Sequence, residues 1–168
     1  MLSTHPQRGF TIVELLIVIV VIAILASISI VGYNGIQNRA NDNVVLADIS
    51  NIRKKLEIAN VDLGYYPRSY TDFTNYASYK LSKSSYDVSL NNAYYITDIA
   101  NNTYALGLRS KSLKGYILTN SGLQENVSVS ANATASAIGV SWNVSGTYAL
   151  QGFNISNGSW NSGWIWTN

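Results

Sequence analysis

The distribution of polar and apolar positions changes character twice along the chain. Charged residues stop at Arg8 and resume at Arg39, and Glu14 alone interrupts the gap. Between them runs FTIVELLIVIVVIAILASISIVG, apolar on every side apart from Glu14 and a few hydroxyls. Phe10 to Val31 is 22 residues, or ~33 Å as a helix, enough for a hydrocarbon core of ~30 Å. Arg8 precedes the run, and no Lys or Arg follows Val31 for seven residues. The positive-inside bias therefore keeps the N-terminus in the cytoplasm and exports the rest.

Beyond Val31 the pattern stays helical but becomes one-sided. Val45, Ile49, Ile52, Leu56, Ala59 and Leu63 recur at spacings of four and three and form one apolar stripe. Asp42, Asp48, Arg53, Lys54, Lys55, Glu57 and Asp62 lie between them. No Pro occurs between Pro6 and Pro67, and Gly64 suits the helix stop. The spacing predicts one helix over 10–63. Its second half (32–63) packs on a domain of its own chain. Its first half (10–31) has no such partner and needs lipid or other copies of itself. Gly32 and Gly35 are either weak points, at about 1 kcal/mol each against Ala, or places where another helix approaches.

Residues 64–168 read as a β-rich globular domain. A polar stretch rich in Tyr, Ser and Asn comes first, with a short helix over Ser69–Tyr79 capped by Ser69. Tyr70, Phe73, Tyr76 and Tyr79 share a face there and read as core. Tyr94–Thr97 is a short strand. Thr103–Leu108 and Gly115–Leu118 suit a hairpin, and Arg109, Lys111 and Lys114 between them read as a solvated turn, with a binding patch as the alternative. After Glu125 no charged residue follows, and all four Trp lie in this tail, as Trp142, Trp160, Trp164 and Trp166. Alternation at Val127–Ser130 and Gly163–Thr167 reads as strand, with turns at Ser145-Gly146, Asn157-Gly158 and Ser162-Gly163. The expected fold class is α+β: a long N-terminal helix, membrane-spanning in its first half, on a small antiparallel sheet. The Trp side chains are expected between sheet and helix, or exposed as a surface for sugars or proteins.

Composition narrows the chemistry. Net charge is +2, with 11 basic and 9 acidic side chains and no basic cluster of the kind a nucleic-acid footprint needs. There is no Cys, and the one His is His5. Zinc sites, cysteine catalysis and His-based triads therefore lack their residues. There is no phosphate loop and no carboxylate pair at useful spacing. No catalytic residue, cofactor or metal is expected, and the chain is not read as an enzyme.

Three readings suit the apolar run. A signal peptide would be cut after it, where Ala23, Ala26 and Ser27 supply small residues. A plain anchor would not carry Glu14, because an acid in a membrane helix is costly and marks a function. The third reading rests on residues 8–16, Arg8-Gly9-Phe10-Thr11-Ile12-Val13-Glu14-Leu15-Leu16, which resemble the processing site of type IV prepilins. The close likeness runs to about residue 31, and a looser one continues to Tyr66-Pro67. The resemblance implies the pilin fold and a leader, residues 1–9. It implies cleavage between Gly9 and Phe10 by a prepilin peptidase, N-methylation of Phe10, and assembly through Phe10 and Glu14. A carboxylate at Glu14 could neutralise the new Phe10 amine of a neighbouring subunit, since two charges in an apolar bundle are tolerable when paired. Many pilins carry a Pro where this chain has Val31.

The expected role is that of a structural subunit of an extracellular filament serving adhesion, surface motility or DNA uptake. Its implied partners are copies of itself, the peptidase and the pilus assembly machinery. It would sit in the inner membrane first and on the cell surface after assembly. The ligand of such a filament is open, and nucleic acid enters only if the pilus takes up DNA. A minor pilin or pseudopilin of a secretion or competence system is the alternative, and a non-polymerising anchored binding protein is another.

Overall fold

The computed structural model describes residues 9–77, 81, 83–87, 93–141, 148–154 and 159–161. Helix α1, Ile12–Leu63, is followed by a single turn α2, Tyr70–Asp72, that widens into a π-helical turn at Phe73–Ala77. A 3₁₀ turn at Lys83–Ser85 leads to the strands β1 Ala93–Asp98, β2 Thr103–Arg109, β3 Gly115–Thr119 and β4 Gly122–Glu125. Helix α3, Ala131–Ser136, precedes β5 Tyr148–Asn154 and β6 Ser159–Asn161. All pairs are antiparallel, in the order β4-β3-β2-β1-β5-β6. The class is α+β, a long N-terminal helix with a small antiparallel sheet. The chain divides into two compact units, Met1–Gln37 and Asn38–Asn168.

In the first unit every described side chain from Phe10 to Ile30 is exposed. The helix passes Gly32 and Gly35 without a break, and a Cβ at either would meet nothing within 4 Å. Among the described residues no contact accounts for these glycines.

In the second unit the same helix buries one face. Val45, Ile49, Ile52, Leu56 and Ala59 are buried, as the spacing predicts, together with Asn41 and Asp48. Strand alternation supplies the opposing face: Ala93 and Tyr95 of β1, Tyr104, Leu106 and Leu108 of β2, and Tyr116 and Leu118 of β3. Ile96 points the other way and packs with Ala135 of α3. The sheet thus lies between α1 and α3. The α3 layer comes very close: a Cβ on Gly107 would stand 2.4 Å from Thr134 Oγ1, and one on Gly115 would stand 2.0 Å from the carbonyl oxygen of Val127.

Tyrosines dominate the core. Tyr66 and Tyr104 meet edge to face at 4.6 Å, and Phe73 and Tyr95 lie 4.7 Å apart. Several phenols are tied to backbone or carboxylate. Tyr95 OH and Thr97 Oγ1 both donate to the carbonyl of Pro67. Tyr86 OH donates to Asp48 Oδ2 at 2.6 Å. Gly64 ends α1 at φ +77, a conformation glycine adopts without strain. Just beyond it, Asn102 accepts the Tyr66 N–H and donates to Asn60 Oδ1, fastening the β1–β2 turn to the helix end.

Two expectations need correction. Val127–Ser130 is not a strand. Val127 N–H donates to Gly115 O, Val129 packs over Gly107 and Gly115, and Ser130 Oγ caps α3 by accepting Ala133 N–H. The Arg109–Lys114 cations are not simply solvated either. Arg109 lies 3.9 Å from Asp87, and Lys114 bonds Glu125 at 2.8 Å. Ser69 caps α2 as expected: its Oγ accepts Asp72 N–H, and its own N–H donates back to the Asp72 carboxylate. Tyr79, Trp142, Trp164, Trp166, the Gly163–Thr167 strand and the three Gly turns of the tail fall outside the described residues, as do the side chains of Tyr70 and Trp160.

Two measurements test this packing. Gly115→Ala must push a Cβ into backbone, so it should lower stability by about 1–3 kcal/mol in denaturant titration; a change within experimental error would mean that the Val127 strap is not seated there. Burial raises the phenol pKa of Tyr66, Tyr94, Tyr95, Tyr104 and Tyr116 above its usual value. Unfolded tyrosine ionises near pH ~10. Below that both states keep their protons and these groups contribute nothing to the slope. Above it the unfolded chain releases protons that the folded chain retains, so stability should fall as pH rises past ~10. Denaturant midpoints at about pH 8 and about pH 11 measure this, and equal midpoints would contradict it.

Candidate processing and assembly site

Gly9, Phe10 and Thr11 precede the helix, which begins at Ile12 and not at Phe10. The reason is a capping box formed by Thr11 and Glu14. Glu14 N–H donates to Thr11 Oγ1 at 3.2 Å. Thr11 N–H and Thr11 Oγ1 both donate back to Glu14 Oε2, at 2.7 and 2.8 Å. Leu15 N–H closes the first turn on Thr11 O. A negative side chain in the first turn also complements the helix dipole.

The arrangement has two chemical consequences. First, the Gly9–Phe10 peptide lies in exposed, non-helical backbone immediately before the cap. Gly9 carries no side chain, so another molecule can approach this backbone closely. Second, the carboxylate is used asymmetrically. Both bonds fall on Oε2, and among the described residues no donor reaches Oε1. Phe10, Leu15 and Val18 line a shallow apolar depression beside Glu14.

Sequence reasoning named Gly9, Phe10 and Glu14 and missed Thr11. The signal was present, because T-x-x-E ahead of an apolar run is a helix-start pattern. Among the described residues no group of three or more His, Cys, Asp or Glu comes together as metal ligands would. Among the described residues one helix, α1, is long and apolar enough to cross a membrane.

Residues 4–30 match a family model described as the prokaryotic N-terminal methylation motif. The N-terminal segment of the chain is thus similar to that of type IV pilin-like proteins. Over 59 residues it is 44% identical to the type IV wide pilus major component PilA4 of Thermus thermophilus, covering 35% of this chain and 45% of that protein. Over 67 residues it is 34% identical to the type II secretion system core protein G of Escherichia coli, covering 40% and 46%. The core protein G of Klebsiella michiganensis is 36% identical over 63 residues, covering 38% and 44%. The chain thus spans less than half the length of these curated relatives. No solved structure matches it significantly.

The capping box is testable by itself. Thr11→Val keeps the shape and removes the cap, which should weaken the first helical turn by about 1 kcal/mol. Amide exchange at Val13–Leu16 in detergent should then quicken, with the second unit unaffected. Unchanged exchange would show that Thr11 does not start the helix.

Proposed function

We propose that this chain is the structural subunit of an extracellular type IV pilus-like filament. The observation that carries this reading is the first half of α1. It is exposed on every side within its own chain and headed by Glu14, directly after the Gly9-Phe10 junction. Such a surface is stable in lipid or against copies of itself, and a filament subunit uses both. In this reading residues 1–9 are the leader, 10–63 the assembly helix and 64–168 the exported domain. A prepilin peptidase cuts before Phe10 and methylates its amine. The subunit waits in the inner membrane with its N-terminus inside and joins a surface filament on assembly. Its role is structural and not enzymatic.

Glu14 registers the subunits. With Oε2 holding Thr11, Oε1 is left for the Phe10 ammonium of a neighbour. A subunit out of register leaves both charges unpaired in an apolar core, so the pairing selects one axial step.

The second reading is a pseudopilin of a type II secretion system, favoured by the relatives that carry the name core protein G. The two readings differ in where the assembled subunit is found. A pilus subunit is recovered by shearing cells, whereas a pseudopilin stays in the envelope and its deletion leaves secreted proteins in the periplasm.

The experiment is to shear filaments, weigh the intact subunit, and compare sheared and membrane pools for Glu14→Ala by immunoblot. The mass should correspond to a chain starting at methylated Phe10. Glu14→Ala should leave the membrane pool and cleavage largely intact while this chain's incorporation into filaments collapses, and Glu14→Asp should be intermediate. A chain starting at Met1 or cut near Ala26 overturns the processing. Normal incorporation of Glu14→Ala overturns the pairing.

A further inference from the structure

Two residues of the second unit are at odds with their local structure. Leu113, at the tip of the β2–β3 hairpin, has φ 73, a left-handed conformation that is disfavoured for a bulky side chain. Its side chain is 60% exposed, and Asn or Gly would form this turn with less strain. Asp62 lies in the last turn of α1, which holds no basic residue. The negative end of the helix dipole disfavours a carboxylate there and favours a cation. Residues that break a local rule tend to mark functional places.

Each of the two has a defined setting. In the hairpin, Ser110 N–H donates to Lys114 O, Leu113 N–H donates to Ser110 O, and Lys111 N–H donates to Ser85 O, each at 2.9 Å. The loop so held presents Leu113 outward, with exposed Lys111 beside it. Arg109 is paired with Asp87 and Lys114 with Glu125, and among the described residues no carboxylate pairs with Lys111. At the helix end, Ile58 and Val61 are 57% and 80% exposed. Together with Glu57 and Asp62 they line a shallow, mainly apolar depression. Glu57 accepts the Tyr66 hydroxyl, and among the described residues no cation pairs with Asp62. A projecting apolar side chain beside a cation thus has its counterpart in an apolar depression beside a carboxylate.

The two halves cannot meet within one chain. Ser112, in the loop, bonds Asp42, whereas Asn102, at the other end of β2, bonds Asn60 next to the depression. Between Asp42 and Asn60 lies ~27 Å of helix, so the halves stand at opposite ends of the second unit.

We propose that Leu113 and Lys111 of one copy dock on the Ile58–Val61 depression and Asp62 of the next. The inference rests on the filament reading above and names a surface by which the second units of neighbouring copies join. A second copy is the fitting occupant because both halves of the contact are present on this one chain and are separated in it. A contact between two different surfaces repeats from copy to copy, and it forms an open filament when its rotation does not close a ring. Leu113 gains burial, while the Lys111–Asp62 pair sets orientation.

The test uses the full chain in sheared filaments and in cell envelopes. A zero-length carbodiimide joins an amine to a carboxylate only where the two touch, and mass spectrometry then identifies the joined peptides. The Lys111–Asp62 link should be recovered, in species of dimer size and above. Lys111→Glu and Asp62→Lys should each lower filament yield several-fold, and the double exchange should restore most of it. Leu113→Asn, which suits φ > 0, should lower the yield with an unchanged or higher thermal midpoint. Filaments that contain the chain without the Lys111–Asp62 link, or a double exchange that restores nothing, overturn the contact and leave the filament reading standing. A chain found as monomer in both fractions overturns both. The link recovered from envelopes with no filament sheared from the cells supports the contact and overturns the pilus reading.

Discussion

The structure depends on one constraint: a long apolar helical surface that its own chain does not cover. Every side chain described from Phe10 to Ile30 faces outward. Apolar surface left in water is unfavourable by roughly 25 cal/mol per Å², and a surface this extensive does not persist uncovered. Lipid can cover it with no help from side-chain detail. Copies of the same helix can cover it too, provided that something sets their register. In the proposed reading Glu14, the one charged group in the run, does so, and its capping bond to Thr11 holds the carboxylate in place.

Beyond Gln37 the same helix solves a different problem. One face is buried on the sheet, and the rest stays in water. The sheet needs no disulfide, because it is closed on both sides. The tyrosine-rich face lies under α1, and the Ile96 face lies under α3. Polar ties fasten α1 to the sheet at both ends, Asn60 to Asn102 at one and Asp42 to Ser112 at the other. A domain held this way can remain intact while the apolar half of the helix changes its surroundings.

Much of this was legible in the residues themselves. The stripe from Val45 to Ala59 predicted the buried face, because a period of 3.6 leaves few other choices. Gly64 marked the helix end, and the β2–β3 hairpin fell where Thr103 and Gly115 placed it. What failed did so for local reasons. Val127–Ser130 alternates like a strand, but Gly107 and Gly115 leave room for it to lie across the sheet as a strap. The Ser130 cap and the alanines after it carried the signal for α3. The capping box was overlooked because Glu14 was read only for its charge. The pairing of Arg109 with Asp87 and of Lys114 with Glu125 is non-local and leaves no trace in spacing.

The central claim is that the apolar half of α1 is covered in every state the subunit occupies. Single cysteines at Val18, Ile22 or Leu25 test it directly in a chain with no other Cys, using a membrane-impermeant maleimide on intact cells and on sheared filaments. The account predicts no labelling at these positions in either sample until the material is dissolved in detergent, while a cysteine at Ser128, on the domain that the proposed reading exports, labels freely in intact cells. Labelling of Ile22→Cys in intact cells or filaments at the rate of Ser128→Cys would contradict it.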